Sequence, residues 1–352
     1  LSFVATAYPQ PFPAEPQRGP IDRALSAWET RRVRRRRARE QAEAPLSLAG
    51  GRSLRPLAAE DLGLVTFTHN DAKFLRSFLA HYRRLGVTRF IVVDDQSRDG
   101  TAERLAAEAD VDLWSSPLRY KDARRGKLWR EALLSLYGTG RWYLSVDSDE
   151  YLVYDRCFER PLPALIATLD AAGQKRMMAP MLDLYPRGPL SLYPFQGADD
   201  TMPWEVADGY DGDGYLLQPN RRFLSLRGGP RQRMFSTEAE LAKYPLLYWD
   251  ESCSFGVSVH QPLPFTRNFT APQGVLLHFK FFADYRHKTE AAVAEEQHFN
   301  GAQVYRTILD RVADQGDLDF TYSGTRRFTR PEELARAGFM REWAEQPKRG
   351  PL

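Results

Sequence analysis

From Leu64 onward, short runs of bulky apolar residues alternate with amphipathic stretches, and this alternation restricts the chain more than any other feature of its sequence. "LVTFT" reads as a strand, "DAKFLRSFLAHYRRLG" as an amphipathic helix, "FIVVDD" as a second strand and "DGTAERLAAEA" as a second helix. A short strand "VDLWSS", a helix around "KLWREALLSLYG" and the strand "WYLSVDSDE" follow. Strands and helices alternating at this pace imply parallel strands joined by right-handed crossovers, hence an α/β layered fold. Ligands of such sheets sit beyond the carboxyl ends of the strands. Both acidic clusters of this half, "VVDDQSRDG" and "VDSDE", fall at such ends.

The second cluster carries the clearest chemistry. If the strand runs through it with period two, Asp147 and Asp149 share a face, and Ser148 and Glu150 share the other. Two carboxylates on one face call for a cation, and Glu150 is left a structural role. In "IVVDDQSRDGT", Asp94 and Asp95 close a strand and Asp99 or Thr101 can cap the next helix. Local sequence leaves a capping turn and a nucleotide-binding loop equally open. An EF-hand is excluded, because its twelfth position would be Ala106 rather than a bidentate glutamate. The phosphatase fold with a paired-aspartate strand fits "VDSDE" poorly, since Tyr151 stands where it carries Thr or Val.

Charge is unevenly placed. Residues 1–60 hold 11 Arg against 6 acids, a net +5, so with +3 overall residues 61–352 carry −2. The body is therefore no nucleic-acid binder. Residues 1–20 are Pro-rich and expected to be extended, and residues 21–44 contain "WETRRVRRRRARE", a helix-compatible segment without a sustained apolar stripe, which reads as a solvated basic arm with contact to an anionic membrane surface as its functional alternative. Cys157 and Cys253 are far apart and read as free thiols of a reducing cytoplasm. No uncharged apolar run approaches the roughly 18 to 20 residues of a bilayer span. "LSFVATAYPQPFPAEPQ" is not a convincing signal peptide. The expected location is cytoplasmic, with peripheral contact at the inner face of the membrane.

In this order the pieces resemble the GT-A type glycosyltransferases, in a bacterial branch of the family 2-like enzymes. "FTHNDAKFLRSFLAHYRRLGVTRFIVVDDQSRDGT" is similar to that branch's opening, "ARRGKLWREALL" to its third element, and "WYLSVDSDEYLVY" to its D-x-D segment. "MLDLYPRGPL", "GGPRQRMF", "KYPLLYWDES", "SVHQ", "LLHFKF" and "EEQHFNGAQVY" continue the likeness to about Met340. The opening usually reads Arg-Asn-Glu where this chain has His69-Asn70-Asp71.

The resemblance implies a mixed, mostly parallel GT-A-like sheet flanked by helices with a C-terminal helical extension. It divides the chain into the arm at 1–60, a nucleotide-sugar half at 61–200, an acceptor-side half at 201–285 and C-terminal helices at 286–352. The implied activity is a metal-dependent, inverting transfer of a sugar from a nucleoside diphosphate donor, UDP-sugar favoured, to a glycan or glycolipid acceptor in bacterial polysaccharide assembly. Breaking the sugar–diphosphate bond leaves negative charge on the nucleotide, which a divalent cation on hard oxygen ligands, Mn²⁺ or Mg²⁺, neutralises.

Asp149 is then the direct metal ligand, with Asp147 reaching metal or ribose. His278, after the apolar run "GVLL", is the third ligand, with His260 competing for that place. Asp94 and Asp95 face base and ribose. Arg125 and Lys127, and Arg231 and Arg233 if "RQR" is extended, approach the diphosphate with Lys280. Asp183 is the expected general base, with Asp250 and Glu251 as rivals. The aromatic stretch "YPLLYWDESCSF" is either sugar platform or core strand. His298, one turn after Glu295, reads as an orienting or capping group. Two other functions stay open. A sugar nucleotidyltransferase would release pyrophosphate and usually has a Gly-rich first loop, which "TFTHNDAKF" lacks. A non-catalytic carbohydrate-binding relative would bind glycan without turnover.

Overall fold

A computed structural model describes residues 4–10, 18–40, 45–51, 53–197, 199–295, 309 and 316–343. The N-terminal segment gives β1 (Thr6–Tyr8), α1 (Pro20–Glu40) and β2 (Ser47–Leu48). The alternating region follows as β3 (Gly63–Thr68), α2 (Ala72–Arg84), β4 (Arg89–Asp94), α3 (Thr101–Ala107), β5 (Val111–Ser115), α4 (Lys127–Leu136) and β6 (Arg141–Ser145). Next come β7 (Glu150–Val153), α5 (Leu162–Ala171), β8 (Arg176–Leu184), α6 (Pro203–Val206), β9 (Gly209–Asp211), β10 (Tyr215–Pro219), β11 (Leu224–Arg227) and α7 (Gly229–Phe235). The remainder supplies β12 (Ala242–Trp249), β13 (Ser254–Phe255), β14 (Pro262–Leu263), β15 (Val275–Phe279), α8 (Tyr285–Glu295), β16 (Thr325–Arg327) and α9 (Pro331–Arg336).

A nine-stranded mixed sheet in the order β2-β5-β4-β3-β6-β12-β8-β15-β7 forms the centre. Its β5-β4-β3-β6 run is parallel, as the alternation requires, and β15 lies parallel to β8. The strand β12, from the second half of the chain, lies between β6 and β8 from the first and antiparallel to both. Both faces of the sheet are covered, so its strands read as unbroken apolar runs: every residue of β3 and β8 is buried. The helix α2 shows why the local reading works. Phe74, Leu75, Phe78, Leu79 and Tyr82 recur on one face and are buried, while Arg76, Arg83 and Arg84 stay outside. Gly86, at φ 97°, ends it in the left-handed conformation that a Cβ disfavours, with Val87 N–H donating to the Tyr82 carbonyl.

Two expectations need correction. The D-x-D segment is not one continuous strand: β6, at the centre of the sheet, stops at Ser145, and Asp147-Ser148-Asp149 is a turn leading to β7 at the sheet's edge. Face assignment by period two therefore fails there. The basic segment is not a solvated arm either. It is helical, as its sequence allows, but the 21-residue helix α1 is seated on the body through buried Ser26, Thr30 and Arg37, and β2 pairs with β5.

Candidate active site

Three strands bring the central groups together by register alone. His278 on β15 stands opposite Asp183 of parallel β8 on one side and Glu150 of antiparallel β7 on the other. Paired positions project to the same face, so the three side chains form a row. Asp183 Oδ1 accepts from His278 Nδ1 at 2.5 Å, which turns Nε2 toward Asp149 Oδ2, 3.4 Å away. The backbone of Asp149 is pinned to the end of β15, its carbonyl accepting from Phe279 N–H at 3.0 Å. Among the described residues, Asp149, Glu150 and His278 bring one donor atom each within 4.8 Å of one another.

Lys243, near the start of β12, neutralises the other acids. Its Nζ donates to Asp147 Oδ2 at 2.8 Å and to Glu150 Oε1, while Arg130 donates to Asp147 Oδ1 at 3.2 Å. The second Glu150 oxygen accepts from Asp147 N–H at 3.1 Å. Glu150 thus faces the cluster, contrary to the face reading, with both oxygens engaged. Burial pushes the Asp147 and Asp149 carboxyls up, but Lys243 and then Arg130 for Asp147, and His278 and then Lys280 for Asp149, hold them well below the usual range. Burial lowers the His278 imidazole, and Asp149 and Asp183 more than reverse that.

A cavity of about 370 Å³ opens beside this row. Thr68, His69, Asn70, Asp95, Arg119 and Tyr120 form its wall at the carboxyl ends of the parallel strands. The Asp147–Asp149 turn, Lys280 and the α8 residues Tyr285, Lys288 and Thr289 also line it. Two ion pairs tie α8 and the residues before it to α2: Lys73 with Asp284 at 2.7 Å and Lys288 with Asp71 at 3.6 Å. The acidic loop after β4 divides its work. Asp99 binds the first N–H of α2 (Ala72, 2.9 Å) and the Thr101 hydroxyl of α3 (2.6 Å), joining two helix starts. Asp94 accepts from Ser97 N–H at 3.1 Å within the turn. Asp95 lines the cavity and accepts from Arg119 at 3.0 Å. Burial raises its carboxyl despite Arg119.

The structure therefore gathers Asp95, Asp147, Asp149 and Lys280 on the cavity, with His278 and Asp183 directly behind Asp149. Other expected groups lie elsewhere. Asp183 is only 1% exposed, its second oxygen accepts from Arg231 at 2.8 Å, and it is not in the cavity lining, so it orients His278 instead of meeting an acceptor hydroxyl. The "RQR" segment is helical in α7, which turns its two arginines apart: Arg231 goes to Asp183 and Arg233 to Asp211 at 2.9 Å. Neither lines the cavity. Lys127 donates to the carbonyls of Gly256 and Val257, and Arg125 is exposed outside the lining. His260 gives Nδ1 to the Ala242 carbonyl at 2.9 Å and is pulled down to about 3 by burial and then Lys243, outside the donor cluster. Asp250 follows the end of β12 that lies beside the start of β6, at the opposite edge of the sheet, and pairs with Arg267. The aromatics of β12 are mostly buried in the sheet. His298 lies outside the described residues.

Missed from sequence were Lys243, Arg130, Arg119, Lys73 and Lys288. Lys243 alone carried a signal, as a single charge in the apolar run "LAKYPLLYW".

No protein-family model matches the sequence, and no curated protein matches it. Solved structures align weakly. A mannosyltransferase from Pyrobaculum calidifontis in complex with GDP-Man and Mn²⁺ is 16% identical over 85% of this chain and 88% of its own, with a TM-score of 0.31. A 4-diphosphocytidyl-2C-methyl-D-erythritol synthase is 16% identical over 56% of this chain and 76% of its own, at 0.26. A UDP-glucose pyrophosphorylase complexed with UDP-glucose is 6% identical over 79% and 97%, at 0.25. Likeness at this level assigns no activity to the chain.

Proposed function

We propose that the chain is a metal-dependent glycosyltransferase that takes a sugar from a nucleoside diphosphate donor and passes it to a glycan or glycolipid acceptor. The observation that carries this reading is the Asp183–His278–Asp149 relay at the edge of a cavity built on the carboxyl ends of parallel strands. Metal-ligating histidines usually have their other ring nitrogen held by a carboxylate or carbonyl, and Asp183 supplies this for His278. Carboxylate oxygens suit Mn²⁺. The donor set fits such an ion through Asp149 and His278, with Glu150 adjacent. The ion would supply positive charge to the diphosphate as it leaves.

The chain's own residues do the rest. Thr68, Asn70 and Asp95 offer donors and acceptors where a base and ribose would lie, and Lys280 and Lys288 bring cationic groups to the wall where a diphosphate would lie. Lys243 and Arg130 hold Asp147 ionised and still, so that the turn presents Asp149 at a fixed place. The cavity volume falls in the range of small-molecule sites.

The test is incubation with UDP-, GDP-, CDP- and ADP-activated sugars, in Mn²⁺ or in EDTA, reading nucleoside diphosphate release. One donor should turn over only with Mn²⁺, and Asp149→Ala should slow it by about a thousandfold. Full turnover in Asp149→Ala contradicts the reading. Pyrophosphate released from a nucleoside triphosphate and a sugar phosphate would assign nucleotidyl transfer instead.

A further inference from the structure

The helix α1 separates its charges in a way the active site does not explain. Its three acids are engaged on the body side: Asp22 lies 3.8 Å from Arg221, Glu29 pairs with Arg222 at 3.0 Å, and Glu40 pairs with Arg124 at 2.8 Å. Successive residues of an α-helix turn about 100°. Ser26, Thr30, Val33 and Arg37 fall on one face and are buried or half-buried against the body. Ile21, Trp28, Arg32, Arg35 and Arg39 fall on the opposite face, and all are exposed.

That outer face holds arginines and two large apolar groups. Ile21 is 77% exposed and Trp28 58%, with the Arg32 guanidinium 5.7 Å from the Trp28 ring. We infer that the outer face of α1 is a docking surface for an anionic phospholipid membrane. Clustered arginines are drawn to an acidic leaflet, and indole rings settle at the headgroup level. A nucleic acid would use the arginines but has no need of Ile21, and the net −2 of residues 61–352 offers no continuing basic track. The Glu40–Arg124 pair anchors the end of α1 to the loop that carries Arg119 and Tyr120 of the cavity wall.

The experiment is co-sedimentation of the full chain with phosphatidylcholine vesicles and with vesicles containing roughly a third phosphatidylglycerol, at low and high salt. The chain should bind the anionic vesicles at low salt and leave them at high salt. Combined Arg32→Glu, Arg35→Glu and Arg39→Glu should weaken binding by at least about a hundredfold at an unchanged melting temperature. Single Arg35→Glu and Trp28→Ser variants should each show a smaller loss, and they stand as the test if the triple variant is unstable. No binding to anionic vesicles, equal binding to neutral ones, or binding unaffected by these changes overturns the inference. So does retention on an RNA or DNA oligonucleotide with none on vesicles.

Discussion

Lys243 holds two acids at once, and the energetics of the site turn on that arrangement. Removing one partner of a buried ion cluster leaves charge uncompensated, so Lys243→Met should destabilise the fold by about 3–5 kcal/mol in urea unfolding. Adding Glu150→Gln should recover part of the loss; no recovery would mean that Lys243 matters through packing. Asp183→Asn tests the relay. It removes the carboxylate that orients His278 and should weaken Mn²⁺ binding by about 10–100-fold with the fold retained. Unchanged affinity would reduce Asp183 to an ordinary core partner of Arg231. A third residue sets acid stability. His81 is buried with Nε2 on the Leu152 carbonyl, and burial lowers it from 6.5 to about 4. Between those values the unfolded chain binds a proton that the folded chain refuses, so stability falls as pH drops through this window, by up to about 1.4 kcal/mol per pH unit. His81→Gln should flatten that slope in unfolding measured from pH 6.5 down to 4.

At the scale of elements, α7 separates two arginines that an extended reading would have paired. Arg231→Ala releases Asp183 and should weaken metal binding, whereas Arg233→Ala should lower stability through Asp211 and leave metal affinity unchanged. Equal effects would contradict the division. The same helix marks a limit of sequence reading. A seven-residue helix opening with Gly229-Pro230 gives little periodicity to count, and its conformation is set by the partners its arginines find. The alternating elements from β3 to β6 were legible because amphipathic helices and buried parallel strands leave opposite patterns. The break at Val146 was not, since the apolar run continues to the residue before Asp147 and nothing local marks the end of β6.

Across the whole molecule, the site was legible only where chemistry and a strand end coincided. Asp149, Asp147 and His278 each follow or end an apolar run, and so could be named from sequence. Lys243 reaches Asp147 from 96 residues away, because β12 inserts antiparallel between β6 and β8, an order that no local pattern encodes. The seating of α1 was missed for a related reason: Ser26, Thr30 and Arg37 are its buried residues, and Leu25 and Val33 add only two half-buried apolar contacts, too few to show as an apolar stripe. Among the described residues no helix is long and apolar enough to cross a membrane. In the proposed function, Asp149 and His278 hold a divalent ion for a nucleoside diphosphate. Its most direct test is an electron paramagnetic resonance titration of Mn²⁺ with UDP or GDP present, on the wild type, Asp149→Ala, His278→Ala and Asp147→Asn. Tight Mn²⁺ binding, dependent on the nucleotide, is expected in the wild type and Asp147→Asn, and its loss in the other two. Mn²⁺ held equally by Asp149→Ala and His278→Ala, or lost only in Asp147→Asn, would contradict it.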